Sequence, residues 1–285
     1  MGCKPKYLLM AITLPSLDDK WLKGFYSGIN VLVRKYKLAL IGGDINKGPM
    51  SISFQVIGES RKNVLLRDGA RNNDDIYVSG NIGLARAALI FKRKRQIEQF
   101  NLFKKFLRKP TPRIELGLEI SNFVSSCIDL SDGLAKDLST ILVQSNKGAS
   151  IIFENIPTLK RMKKLLDTEE LYESLLGGGE DYELLFTLSL KNYEAIKDNS
   201  VFSAIGHTTR GSDKVELFTG ANSSINLKED EIILEAPEES KYDRVMDILR
   251  NAPYGSVAMM SGQYPMGKSS DLSPKTLKQF NARMK

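Results

Sequence analysis

The sequence predicts an α+β protein, on three observations. Residues 7–14 form a continuous apolar run closed by Pro15, as in a buried strand. Leu22, Phe25, Tyr26, Ile29, Leu32, Val33 and Tyr36 then recur at helical spacing and give a helix one apolar face. Residues 51–58 alternate, with Ile52, Phe54 and Val56 set against Ser51, Ser53 and Gln55, a half-buried strand.

Between these, Ser16 is the expected N-cap of the first helix, with Asp19 at the capping-box position. Residues 38–41 read as a short buried strand that stops at Gly42-Gly43-Asp44. Residues 76–80 are a fourth strand, entering a helix near Leu84. The run Pro-Thr-Pro-Arg-Ile-Glu at 110–115 punctuates the chain and predicts a domain boundary. Beyond it come a helix over 114–124, an acidic motif at Asp129, and a helix over 133–145. A strand at 149–153, a helix over 159–166, a strand at 182–188 and a helix over 191–199 follow. Strands near Phe202 and Val215 complete this unit by about Leu227. The expected organisation is therefore residues 1–110, residues 111–234, and a divergent Pro-, Ser- and Lys-rich tail over 235–285 without assigned order.

Composition narrows the function. With 42% hydrophobic and 26% charged residues, the chain is ordinary globular material. No run approaches the roughly 18 apolar residues of a membrane span. Two cysteines are too few for a disulfide framework or a zinc cluster, so a reduced cytoplasm is the expected setting. A Ser-His-Asp hydrolase is disfavoured, because His207 is the only histidine and reads as a solvated residue at a strand end. The net charge of +7 is concentrated locally: residues 86–113 hold ten basic residues against the single acid Glu98. Interleaved Ile90, Phe91, Ile97, Phe100 and Phe103 make that run one or two amphipathic helices with a cationic outer face. Without a reading motif, nucleic acid is not the expected partner.

Four groups carry the chemistry. Ile128-Asp129-Leu130-Ser131-Asp132-Gly133 places two carboxylates and a hydroxyl at a strand-to-helix junction. A helix cap needs one carboxylate or hydroxyl; this set exceeds that need. Such hard oxygen donors suit Mg²⁺, which takes few carboxylates and keeps waters and phosphate oxygens. Gly177-Gly178-Gly179-Glu180-Asp181 is the second group, with glycines expected to let the backbone approach a ligand closely. Asp44 lies at the end of a strand, where α/β ligand sites collect. Arg67, in Leu65-Leu66-Arg67-Asp68-Gly69-Ala70, is the fourth and weakest signal.

Together these strings resemble the thiamine-monophosphate kinase family, within the aminoimidazole ribonucleotide synthetase-like ATP enzymes. The resemblance runs from Met1 to about residue 227, through Leu40-Ile41-Gly42-Gly43-Asp44, Leu66-Arg67-Asp68-Gly69-Ala70, Ile128 to Leu134, and Gly178 to Leu184. It implies two α/β sandwich-type domains, the first truncated, and an ATP-dependent phosphotransferase acting on a phosphate acceptor. It further implies Mg²⁺ ligands at Asp44, Asp129 and Asp132, and ATP contacts from Tyr26, Gly43, Asp44, Arg67 and Ser131. Glu180 would contact thiamine monophosphate.

The chain also departs from the family pattern. A Gly-Asp-Asp motif, a substrate-contacting histidine and an Asn-Leu-Ser-Asp motif usually precede the point aligned with Met1, and a closing aromatic motif usually follows. Neither set occurs here, and Gly-Ala-Arg-Asn-Asn-Asp at 69–74 replaces Gly-Ala-Lys-Pro-Gly-Asp. The expectation is a chain with part of the family's metal shell and part of its homodimer interface. Its alternative function is that of a non-catalytic relative that binds nucleotide weakly or not at all.

Overall fold

The structure is a computed structural model that describes residues 2–60, 64–211, 215–219, 223–227 and 232–234. The tail expected over 235–285 lies outside the described residues. Strand β1 (Cys3–Leu14) is the middle strand of a three-stranded sheet, flanked by β2 (Ala39–Lys47) in parallel and β3 (Ser51–Ser60) antiparallel. Parallel neighbours need a crossover, and here it contains helix α1 (Asp19–Tyr36). Leu8, Met10, Ile12 and Leu14 alternate onto one face and are buried. Against the last three pack Trp21, Leu22, Phe25, Tyr26 and Ile29 of α1. The helix begins later than the sequence predicts. Asp18, not Ser16, is the N-cap, its Oδ1 accepting from the amides of Lys20 at 2.9 Å and Trp21 at 3.0 Å.

The larger sheet has eight strands in the order β11-β10-β9-β6-β8-β4-β7-β5. They are β4 (Asp75–Ser79), β5 (Val124–Asp129), β6 (Lys147–Ile152), β7 (Leu184–Leu188), β8 (Phe202–Arg210), β9 (Val215–Thr219), β10 (Ser223–Leu227) and β11 (Ile232–Leu234). Because β4 sits between β7 and β8, the chain passes from one sheet to the other between residues 60 and 75, well ahead of the break expected near 110. Tyr77, Cys127, Phe186 and Leu188 centre one core. Tyr77 stacks on Phe186 at 5.4 Å, and Phe202 meets Phe186 edge-on at 5.1 Å.

The basic run resolves into α2 (Leu84–Arg93) and α3 (Ile97–Arg108), joined face to face by stacked Phe91 and Phe103. Its charges are partly matched. Arg86 and Arg93 reach Glu173, and Lys94 reaches Glu170, both on α7 (Thr168–Leu176). Glu173 is buried, so Arg86 there compensates a charge that could not stay unpaired. The remaining helices are α4 (Ile114–Ile120), α5 (Leu134–Ser145) and α6 (Lys160–Leu165). The helix expected over 191–199 is a 3-10 turn at Leu190–Ala195. His207 is exposed, as expected, but stands on β8 opposite Asp75 and Ser150 rather than at a strand end. Among the described residues no helix is long and apolar enough to cross a membrane.

In the small sheet β1 is paired on both sides, so the open edges belong to β2 and β3 and not to residues 7–14. Ile41, Ile45, Val56 and Ile57 are exposed on those edge strands. Unpaired backbone groups beside apolar side chains template self-association. Light scattering on the purified chain should therefore show heterogeneous higher-order species, reduced by Ile57→Lys; a single monodisperse species in both proteins would contradict this.

Candidate functional site

The structure brings the two acidic strings together. Strands β5 and β7 are antiparallel neighbours, and their register ends at Asp129 opposite Leu184. The pairing continues past the strands. The Leu130 amide donates to the Glu183 carbonyl at 2.8 Å, the Tyr182 amide to the Leu130 carbonyl at 2.8 Å, and the Glu180 amide to the Ser131 carbonyl at 3.0 Å. Asp129, Ser131 and Glu180 thus share one end of the larger sheet.

Neither Ser131 nor Asp132 caps the helix that follows. Helix α5 starts after Gly133 with no side-chain cap. Instead Asp137, buried in the first turn, turns back so that its Oδ2 accepts from the amides of Ser131 at 2.9 Å and Asp132 at 3.0 Å. Among the described residues, no hydrogen bond or ion pair engages the Asp129 carboxylate or the Ser131 hydroxyl. Asp132 is exposed and pairs with Lys136 one turn on, at 2.6 Å, an exposed pair of small energetic weight. Asp137 was not singled out in the sequence; its position in the first turn of the helix is the signal that marks it.

The glycines do something other than admit a ligand. A Cβ on Gly179 would lie 2.2 Å from the Ser131 carbonyl oxygen, and one on Gly178 would lie 2.3 Å from the Ser174 carbonyl oxygen. They allow two protein segments to touch. Gly43 behaves alike, since its Cβ would fall 1.8 Å from the Met10 carbonyl oxygen across the small sheet.

Three acids in the second string have three fates. Glu180, half-buried at φ 71°, accepts from the Tyr182 hydroxyl at 2.7 Å. Asp181 turns to the start of α2, accepting from the Gly83 amide at 2.6 Å and the Ala85 amide at 3.4 Å. Burial pushes its carboxyl up to about 7, against the lowering effect of those amides and with a further raise from Glu183. Glu183 is buried, held by both arms of Arg113 and by the Ser79 hydroxyl at 2.5 Å. Arg113 therefore carries a structural ion pair inside the stretch read as a domain break. Burial, the bond to Glu180, and the fields of Asp129 and Asp132 all raise the Tyr182 phenol, which stays protonated.

The other predicted residues stand on other segments. Asp44 stands within β2, which is exposed throughout and runs on past Gly42-Gly43 to Lys47 instead of ending there as a buried strand; its carboxylate accepts from the Ile45 amide at 2.9 Å and Asn46 Nδ2 at 2.8 Å. Tyr26 packs on the same sheet and lines a groove of about 610 Å³ along α1, with Asp19, Lys23, Asn30 and Arg34. Arg67 is exposed on a segment running beside β5, where the Leu66 carbonyl accepts from the Cys127 amide at 2.7 Å. Among the described residues, no three His, Cys, Asp or Glu side chains converge closely enough to hold an ion by themselves. Asp129, Asp132 and the Ser131 hydroxyl are nevertheless hard oxygen donors on one loop. That set fits Mg²⁺, whose remaining positions water and phosphate oxygens fill.

Asp181 makes stability depend on pH. Its folded pKa lies above the unfolded value near 3.8, so the native state binds the extra proton and stability falls as pH rises from about 4 to about 7. The limiting slope is about 1.4 kcal/mol per pH unit per proton. Asp137, pushed by burial up to about 6, adds in the same direction. Asp181→Asn should flatten the slope of denaturant-unfolding free energy between pH 5 and 7.5 while keeping an acceptor for the α2 amides; an unaltered slope would contradict the assignment.

Residues 1–60 match the family described as AIR synthase related protein, N-terminal domain. A thiamine-monophosphate kinase of Buchnera aphidicola (subspecies Schizaphis graminum) is 40% identical over 239 residues, covering 80% of this chain and 74% of the relative. The Escherichia coli K12 thiamine-monophosphate kinase is 37% identical over 213 residues, covering 73% of this chain and 64% of the relative. Among solved structures, the thiamine-monophosphate kinase of Stenotrophomonas maltophilia K279a has a TM-score of 0.71 at 31% identity, over 77% of this chain and 73% of that one. AaThiL complexed with AMPPCP and TMP has a TM-score of 0.69 at 27% identity, over 82% and 75%. With more than two thirds of its length matched at such identity, the chain belongs to the thiamine-monophosphate kinase family of ATP-dependent kinases.

Proposed function

We propose that this chain uses ATP to phosphorylate thiamine monophosphate, giving ADP and thiamine diphosphate, with Mg²⁺ as the metal. The observation that carries the reading is the junction at which Asp129, Ser131 and Asp132, none of them capping α5, share one sheet end with Glu180. The acceptor is a phosphate oxygen, already ionised near neutral pH because the second pKa of a phosphate monoester is about 6. No strong general base is needed, which suits a site without histidine. Bound Mg²⁺ would supply charge neutralisation between phosphate oxygens. Asp129 and Asp132 would hold it, and Asp44 is the proposed further ligand from the small sheet. Ser131 would donate to nucleotide phosphate, Arg67 would offset developing charge, and Glu180 would meet the thiamine end of the acceptor. Tyr26 and Gly43 would line the nucleotide side. In this reading the partners are small molecules, and the family's homodimer contact would use the small sheet.

One observation favours weak catalysis. Asp44 and the Asp129 loop are not gathered into one carboxylate cluster among the described residues, and ligands that act as a unit are strongly non-additive. Purified chain with Mg-ATP and thiamine monophosphate should form thiamine diphosphate far more slowly than the longer Escherichia coli relative. Equal turnover would overturn the weak-catalysis view, and ATP binding with no product at all would support the non-catalytic alternative. In titrations, Asp132→Asn and Asp129→Asn should each weaken ATP binding about tenfold with Mg²⁺ present and have little effect in EDTA. The same loss in EDTA would argue against a metal role.

A further inference from the structure

We propose that Tyr182 is a positioning residue: its hydroxyl fixes the Glu180 carboxylate in the orientation that recognises the cationic heteroaromatic end of the acceptor. The inference rests on the reading of Glu180 as a substrate contact and assigns the residue that makes this contact selective. Tyr182 Oη donates to Glu180 Oε2 at 2.7 Å. Only one carboxylate oxygen is used, and among the described residues Oε1 has no hydrogen-bond partner.

The backbone is shaped to bring these two side chains together. Glu180 and Tyr182 both adopt positive φ, at 71° and 52°, a conformation that non-glycine residues keep only where the surroundings enforce it. Here the enforcement is visible: the Glu180 amide is tied to the Ser131 carbonyl and the Tyr182 amide to the Leu130 carbonyl. Asp181, between them, sends its carboxylate away to the α2 amides. The alternation leaves Glu180 and Tyr182 adjacent. The positive-φ residues are Glu180 itself and Tyr182, so the conformation that ties this segment to Leu130 and Ser131 also sets the half-exposed Glu180 beside the phenol. A phenol on a ring with two rotatable bonds fixes a flexible carboxylate at small entropic cost. An oriented carboxylate then favours a cationic ring over a neutral one, and it does so without touching the phosphate chemistry.

The test uses the full chain and isothermal titration with thiamine monophosphate and, separately, Mg-ATP. Tyr182→Phe keeps the ring and removes only the hydroxyl. It should weaken thiamine monophosphate binding roughly three- to tenfold while leaving Mg-ATP affinity and the thermal midpoint unchanged. Glu180→Gln should weaken the same ligand at least as much. In the double variant the Tyr182→Phe effect should vanish, because its role passes through Glu180. Unchanged thiamine monophosphate affinity in Tyr182→Phe, an equal loss for Mg-ATP, or additive losses in the double variant would each overturn the inference alone. Failure of the unaltered chain to bind thiamine monophosphate while binding Mg-ATP would overturn the Glu180 reading, and this inference with it.

Discussion

Three main-chain hydrogen bonds beyond the last register pair of β5 and β7 hold the site together. They link Leu130 and Ser131 to Glu180, Tyr182 and Glu183, so the ladder of the sheet runs on into segments that are no longer strands. The rest follows from that extension. Glycine is required at 178 and 179 because a side chain there would collide with the Ser174 and Ser131 carbonyls. Glu180 and Tyr182 keep positive φ while their amides bond to the Ser131 and Leu130 carbonyls. Gly133, at φ 112°, lets the chain pass close to Gly177 before α5 begins. Two segments about fifty residues apart in sequence thereby act as one rigid loop.

Charge around this loop is sorted by depth. Buried acids have dedicated partners: Glu183 with Arg113 and Ser79, Glu173 with Arg86, Asp137 with two amides. Acids nearer the surface, Asp129, Asp132 and Glu180, carry the negative potential of the site. Removing a partner from a buried charge is costly, typically about 3–5 kcal/mol, so the inner layer is bound to the fold. The outer layer is free to meet ligands. Arg86 of α2 belongs to this inner layer through Glu173, whereas Arg93 reaches the same acid from a mostly exposed position.

Much of this was legible in the sequence, and the failures have physical causes. The alternation of residues 51–58 and the helical spacing from Leu22 to Tyr36 marked β3 and α1, although Phe54 and Val56 of β3 are exposed and α1 is only partly covered by the small sheet. The family strings located Asp129, Ser131, Asp132 and Glu180 through local residue types. The sequence could not show which acid of the second string faces outward: Glu180, Asp181 and Glu183 are chemically alike, and only tertiary contacts distinguish them. Asp137 was missed because only its place in the first turn of α5 marks it, while its two partners are backbone amides. Ser16 was preferred to Asp18 as helix cap because both are good caps and the exit of the strand chooses between them. The break at 110–115 reflects Pro110 and Pro112 as local punctuation, whereas the change of sheet is set by where β4 pairs.

That pairing has a consequence for how the polypeptide is made. The small sheet is local: β1, α1, β2 and β3 are contiguous, so their contacts can form once the first 60 residues have emerged. β4 is different, for its neighbours β7 and β8 begin at Leu184 and Phe202. Until those arrive, Ile76, Tyr77 and Val78, all destined for the interior, have neither hydrogen-bonding neighbours nor cover. At roughly 5–20 residues per second, the ribosome leaves this segment unprotected for on the order of ten seconds. The centre of the larger sheet thus closes only when β7 and β8 have been made, and the nascent chain carries an adhesive apolar strand through more than a third of its synthesis.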